Sequence, residues 1–88
     1  AVLSTANSGS ITLVGNTFKG YNVGGKPVVE ITGTIGALPQ QITNNQFVIT
    51  NDQTIGIKLP AGASSTLIDQ YALNSGNTFG SATTKVTN

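Results

Sequence analysis

A period-two alternation of apolar and polar residues constrains the fold of this chain more than any other feature of its sequence. In VVEITGTI, residues 28–35, the apolar side chains of Val29, Ile31 and Ile35 fall on one face and mostly polar ones on the other. Successive side chains of a β-strand point to opposite sides of a sheet, so the pattern predicts a strand with one buried face. We therefore expect Val29, Ile31 and Ile35 in the core.

The same alternation returns in TIGIKL, residues 54–59. It turns Ile55, Ile57 and Leu59 toward the core and Gly56 toward solvent. We expect the three aliphatic residues to be buried.

A third stretch, QFVIT at residues 46–50, precedes that strand across the letters NDQ. Asn and Asp are typical of the short turns that close hairpins. The sequence therefore predicts a hairpin between 46–50 and 54–59, with Phe47 and Ile49 in the core.

Two shorter β-branched stretches, SITLV at 10–14 and TTKVT at 83–87, add further strands. Clusters of Gly, Pro and Asn separate the strands about every ten residues. Five or six short strands of this kind predict an all-β fold, a small antiparallel sandwich or barrel.

The segment STLIDQYALNSG, residues 65–76, fits a helix and a strand equally well. As a helix it would be capped by Thr66, with Asp69 three residues later as the capping-box partner. As a strand it would place Leu67 and Tyr71 on one face. We leave room for one short helix near 65–74.

The letters GNTF occur twice, at residues 15–18 and 76–79. They could mark two equivalent corners of a pseudo-symmetric domain, although a chain this rich in Gly, Asn and Thr favours coincidence. On either interpretation we expect Phe18 and Phe79 in the core, because aromatic rings bury large areas.

Residues 1–9 are predicted to be a flexible N-terminal arm ahead of a single β domain, residues 10–88. The arm begins with Ala1, Val2 and Leu3 and continues with small polar residues. Such a segment could add as a strand to an open sheet edge of a neighbour, and a frayed terminus fits the same letters.

Charge is scarce, with four Lys, three acidic residues and 8% of the chain charged. An average domain has about 25%, and a mixed charged surface normally keeps a free domain dispersed. Small domains also gain support from disulfides, metals or association, and this chain has no Cys and no His. The composition favours a protein that associates with copies or partners.

The same composition argues against an enzyme and against a cofactor. Without His and Cys the usual general base and the most nucleophilic side chain are missing. The acids Glu30, Asp52 and Asp69 are widely spaced, and a calcium site built on Asn51 and Asp52 lacks the expected ligand spacing. We expect no catalysis, no metal and no cofactor.

GYNVGGKP, residues 20–27, differs in one letter from a phosphate-binding loop. Pro27 stands where a hydroxyl should hold magnesium, and a strand pattern follows where the loop needs a helix. We instead expect Gly24 and Gly25 to allow a bend, and Pro27 to begin a strand at a sheet edge.

Nucleic acid and membrane partners are also disfavoured. FKGY, residues 18–21, places Lys19 between two aromatic residues, but the chain has no Arg and its charges nearly cancel. The chain contains no run of 18 apolar residues, which is the length that a membrane-spanning helix needs.

These observations favour a non-enzymatic structural protein that forms homo-oligomers or joins major capsid or filament subunits. We expect a virion decoration or cement protein, because no secretion leader is visible. A subunit of an extracellular filament or surface layer joined by strand addition is the first alternative. A small carbohydrate- or host-binding β module is the second.

Overall fold

The computed structural model describes residues 11–33 and 41–88 together with the backbone of residues 3–7. Within these residues the elements are β1 (Leu3–Asn7), β2 (Thr12–Val14), β3 (Thr17–Phe18), β4 (Pro27–Gly33), β5 (Gln41–Thr43), β6 (Gln46–Phe47), β7 (Ile55–Lys58), α1 (Ser65–Leu73) and β8 (Thr84–Thr87). The expected content, mainly strands with one short helix, is confirmed.

The strands pair in parallel. One sheet has the order β1-β4-β7-β8, while β2 pairs with β5 and β3 pairs with β6. Every one of these pairings is parallel. Parallel neighbours need a long connection between them. The predicted antiparallel sandwich or barrel is therefore wrong, because pairing joins strands that are far apart in the sequence.

The chain winds through the three sheets repeatedly, which is the arrangement of a parallel β-helix. We call one circuit a coil: coil 1 holds β1, β2 and β3, and coil 2 holds β4, β5 and β6. Coil 3 holds β7, α1 and Thr78, which forms a parallel bridge to Gln46 of β6. β8 begins coil 4.

The predicted hairpin between 46–50 and 54–59 is wrong for the same reason. β6 pairs with β3, and β7 pairs with β4 and β8. The turn itself exists, since Asn51 Oδ1 accepts a hydrogen bond from Gln53 N at 2.9 Å and Asn51 O accepts one from Thr54 N at 3.0 Å. It leads the chain into the next coil instead of back along the previous strand.

An aliphatic row runs through the large sheet from coil to coil. Val29, Ile57 and Val86 are register partners on β4, β7 and β8. Their side chains are 0%, 0% and 7% exposed, and Leu3 of β1 pairs with Val29 through the backbone. The period-two pattern therefore identifies an inward face, and parallel stacking aligns that face between coils.

The bend between the second and third sheets repeats in each coil. The backbone angle φ is 70° at Gly15, 56° at Asn44 and 72° at Gly76. This left-handed region favours Gly and Asn over other residues. The three bends read GNTF at 15–18, NNQF at 44–47 and GNTF at 76–79. Coincidence is thus the wrong interpretation of the repeat, which has a third copy with two letters changed.

The asparagine after each bend residue forms a ladder along the coils. Asn45 Oδ1 accepts from Asn16 N at 2.9 Å and from Asn16 Nδ2 at 3.2 Å, and Asn77 Oδ1 accepts from Asn45 N and Nδ2 at 2.9 and 3.1 Å. The amides of coils 2 and 3 also donate to a carbonyl of the preceding coil: Asn45 Nδ2 to Leu13 O at 2.9 Å, and Asn77 Nδ2 to Ile42 O at 2.8 Å. The ladder satisfies backbone groups that the bends leave without a strand partner.

The phenylalanine that ends each bend motif stacks on its equivalents. The ring centroids of Phe18 and Phe47 are 5.0 Å apart, and those of Phe47 and Phe79 are 4.9 Å apart, with interplanar angles of 20° and 11°. Phe47 and Phe79 are buried, as expected for core aromatics.

In the chain order of coil 3, helix α1 stands where coils 1 and 2 have β2 and β5. Ser75, just after α1, accepts a hydrogen bond through its carbonyl oxygen from Asn44 N at 2.9 Å, and Tyr71 O accepts one from Asn77 Nδ2 at 3.1 Å. The N-cap is Ser64, whose Oγ accepts from Leu67 N at 3.2 Å. The predicted cap, Thr66, instead lies inside the helix.

The predicted core residues divide into three groups. Those in the buried core are Val29, Ile31, Phe47, Ile49, Ile57 and Leu59. Phe18 and Ile55 are partly buried, and Ile35 lies outside the described residues. The expectation that Gly56 faces solvent is wrong: Gly56 is buried, and a Cβ there would meet the Phe79 ring and come within 2.5 Å of Lys85 O.

Candidate assembly surface

The side chains that coil 1 contributes to the core are only partly covered. Leu13 and Phe18 are partly exposed, whereas their equivalents one coil later, Ile42 and Phe47, are 0% and 1% exposed. Each coil of a repeat fold buries the interior of its neighbours. Coil 2 has described coils on both sides, and coil 1 has one on a single side.

Two further apolar residues of coil 1 behave in the same way. Ile11 and Tyr21 pack against the core and remain partly exposed. We call the surface that these residues share the coil-1 end; it consists of the outer edge of β1 and the side chains of Ile11, Leu13, Asn16, Phe18 and Tyr21.

The outer edge of β1 belongs to this surface because β1 is the first strand in its sheet. One side of β1 pairs with β4, and no described strand pairs with the other. An open edge presents backbone donors and acceptors that a strand from another chain can use. This position also corrects the boundary of the predicted arm: Leu3 pairs within the chain's own sheet, while Ala1 and Val2 lie outside the described residues.

The coil-1 end carries no charged side chain. The letters of β1 are LSTAN, and the five side chains that complete the surface are apolar or neutral. The nearest charge along the chain is that of Lys19, which is exposed next to Phe18. Interface cores are depleted in charge and enriched in aromatic residues, so the surface has the composition of an interface.

The opposite end of the stack differs, because the chain's own helix packs there. α1 contacts β8, the last strand of the large sheet. Tyr71 of α1 is 0% exposed, and burial raises the pKa of its hydroxyl to about 12. This end is therefore partly covered by the chain itself.

A surface groove lies where β4 extends past the end of β7. Its volume is about 280 Å³, and residues 30–33 and 58–61 line it. Glu30 and Lys58 are register partners, so one charge of each sign stands at the rim. The groove can offer a hydrogen-bond acceptor and donor to a small polar ligand.

The backbone amides of the GYNVGGKP loop, residues 20–27, form hydrogen bonds within the fold. Gly25, with φ of 76°, donates from its backbone N to Gln53 O at 2.8 Å, and Lys26 N donates to Val23 O at 3.2 Å. These amides close a bend instead of pointing into an open cradle. Pro27 begins β4 as expected, but β4 lies between β1 and β7, so the expected edge position is wrong.

The acidic residues lie on separate elements: Glu30 in β4, Asp52 in the turn before β7, and Asp69 in α1. Across residues 11–33 and 41–88, no three His, Cys, Asp or Glu side chains come together. The side chain of Asn51 already forms hydrogen bonds within the protein: Nδ2 donates to Asn22 O at 3.3 Å, and Oδ1 accepts from Gln53 N.

Lys19 of the FKGY motif is exposed, while Phe18 beside it stacks on Phe47. The ring is therefore part of the core stack. In the described part of the chain, no helix has the length and hydrophobicity that crossing a bilayer requires.

No protein-family model matches the chain, and comparisons with curated proteins and with solved structures find no match.

Proposed function

We propose that this chain is a non-enzymatic structural protein that assembles with copies of itself or with a larger shell protein. The observation that carries the proposal is the coil-1 end, where an open strand edge borders partly exposed core residues such as Leu13 and Phe18. Repeat folds need a polar cap at their ends to remain dispersed. The described residues of this end are largely apolar and include no polar cap, so we expect a partner to cover it.

The scarcity of charge supports the same proposal. Only 8% of the residues are charged, and the hydroxyl and amide side chains that replace them can hydrogen-bond across a contact without the cost of burying an ion. We propose a decoration or cement protein of a virion as the setting. A subunit of an extracellular filament or surface layer is the alternative, and a cleaved leader on the precursor would favour it.

A second candidate function is a carbohydrate- or host-binding module, and the groove between residues 30–33 and 58–61 favours it. Glu30 and Lys58 could accept and donate hydrogen bonds to a polar ligand. Such a module would work as a free monomer, so the state of association separates the two functions.

The proposal is tested by measuring the mass of the purified full chain over a hundredfold range of concentration, with sedimentation velocity and light scattering. We expect association that increases with concentration, and electron microscopy of the native source should show the chain within a larger particle. A chain that remains a stable monomer at millimolar concentration, with or without shell proteins from its source, contradicts the proposal.

A further inference from the structure

We propose that the coil-1 end is a two-fold interface between two copies of this chain, in which β1 pairs with β1 of the second copy. The inference rests on the proposed function and names the partner and the symmetry. A two-fold axis through the shared edge makes the two β1 strands antiparallel. Each strand then completes the open edge of the other.

A second copy fits this surface because the surface is self-complementary. Under two-fold symmetry, the apolar side chains of one coil-1 end face the apolar side chains of the other, including Leu13 and Phe18. No like charges are forced together, since none of the residues that define the surface is charged. A partner of opposite charge would find no charge to pair with at this surface.

The size of the end face also suits a dimer. The molecule measures 33 × 22 × 20 Å. Four strands spaced at about 4.8 Å occupy roughly 15–20 Å along the coil axis, so the axis lies along a short dimension. The end face then has a cross-section of at most about 700 Å², against the ~800 Å² of surface per partner in a standard stable interface.

Head-to-tail stacking fits less well, because α1 changes the opposite end. There coil 3 has α1 where coils 1 and 2 have a strand of the second sheet, and Asn44 N, just after β5, donates to Ser75 O, just after α1. A coil-1 end docked onto that end could pair β1 with the outer edge of β8, but it would bring β2 against the region of a helix instead of a strand edge. Heterologous stacking would also produce open filaments, whereas the two-fold contact closes as a dimer.

The first experiment compares the dissociation constants of three forms of the full chain by sedimentation equilibrium. We expect the wild type to form dimers and Leu13→Asp to raise the dissociation constant at least about tenfold, because a carboxylate would face the apolar interior of the other copy. The matched control is Leu73→Asp, on a residue of α1 that is 68% exposed, and we expect a change below about twofold. Circular dichroism establishes that each variant is folded.

A second measurement needs no change in the apolar surface. The chain has no Cys, so Thr12→Cys and Leu73→Cys each provide a single spin-labelling site. In a two-fold dimer through the coil-1 end, the distance between the two Thr12 labels should be clearly shorter than that between the two Leu73 labels. In head-to-tail stacks related by translation alone, the two distances would be equal.

The outcomes separate this inference from the proposed function. A wild-type chain that is monomeric at every concentration overturns the two-fold interface, and it overturns the proposed function as well if the chain also binds no shell protein from its source. An oligomer that Leu13→Asp leaves intact, or equal label distances, overturns the two-fold interface and leaves the proposed assembly standing. Dissociation by folded Leu13→Asp together with the shorter Thr12 distance supports the interface.

Discussion

Asn45 is a polar residue that the fold buries almost completely, with 1% of its surface exposed. A buried amide is costly unless both its oxygen and its nitrogen are hydrogen-bonded. Here Oδ1 accepts from Asn16, and Nδ2 donates to Leu13 O and Asn77 Oδ1. Asparagine suits the position because its short side chain offers an acceptor and two donors within reach of the adjacent coils.

We expect Asn45→Ala to lower the free energy of unfolding by about 2–4 kcal/mol, because it removes an amide that is 1% exposed and leaves Leu13 O without its donor in the part-buried ladder. Urea denaturation followed by circular dichroism measures the loss. Asn16→Ala is the matched control on the exposed first rung of the ladder. There water can replace the lost bond, and we expect a loss below about 1 kcal/mol. Equal losses would mean that the ladder does not stabilise the stack through burial.

The bend that precedes each ladder asparagine is the element that turns the chain from the second sheet to the third. Gly15, Asn44 and Gly76 all have positive φ, although they differ in side chain. The presence of Asn44 in the middle coil indicates that the bend requires a left-handed backbone and tolerates a side chain where there is space for it.

Gly15 allows a direct test of that requirement, since a Cβ built there would meet nothing within 4 Å. We expect Gly15→Asn to change the free energy of unfolding by less than about 0.5 kcal/mol, as Asn adopts this region readily. Gly15→Val should cost about 1–2 kcal/mol or more, because a β-branched residue is strained at φ of 70°. Thermal unfolding distinguishes the two, and a similar cost for both substitutions would contradict the conformational explanation.

The individual strands are easier to predict from this sequence than their pairing. The alternation in 28–35 predicts the strand that becomes β4, but the register partner of Val29 on β7 is Ile57, 28 residues later. Local letters such as NDQ describe a turn and contain no information about which strand follows it in space. A hairpin is the simplest structure that these letters predict, but β6 and β7 each pair with strands that are distant in the sequence.

For a similar reason, matching letters reveal only two of the three copies of the bend motif. The middle copy, NNQF, keeps the left-handed bend, the ladder asparagine and the stacked phenylalanine, but it exchanges Gly for Asn and Thr for Gln. A comparison by physical role, with a left-handed residue, an amide and an aromatic at fixed spacing, would find all three copies. The coil-1 end could not be predicted in this way, because Leu13 and Ile42 are equivalent in sequence and differ only in how many coils cover them.

At the scale of the whole molecule, the stack joins distant parts of the chain into one core. Val29, Ile57 and Val86 come from three coils and form a single buried row. Tyr71 of α1 contributes its side chain to this core. Its carbonyl oxygen accepts a hydrogen bond from Asn77, the last asparagine of the ladder. Because α1 packs against β8, the last strand of the large sheet, we expect Tyr71 to reach water only when the stack of coils opens.

This coupling makes the titration of Tyr71 a measure of global stability. Burial raises the pKa of its hydroxyl from 10.0 in the exposed state to about 12 in the folded protein. Between these values the unfolded chain has lost the proton that the folded chain retains, so stability falls as the pH rises from 10 to 12 and this contribution is constant below 10. Urea denaturation at a series of pH values measures the slope.

Tyr71→Phe removes the titrating hydroxyl and keeps the buried ring, so it separates this contribution from those of other groups, which act on both proteins alike. We expect the wild type to lose more free energy of unfolding than the variant between pH 10 and 12, and the two curves to run parallel below pH 9. Parallel curves over the whole range would show that Tyr71 ionises without unfolding the stack. The helix would then open independently of the coils, and α1 could not be regarded as part of one cooperative core.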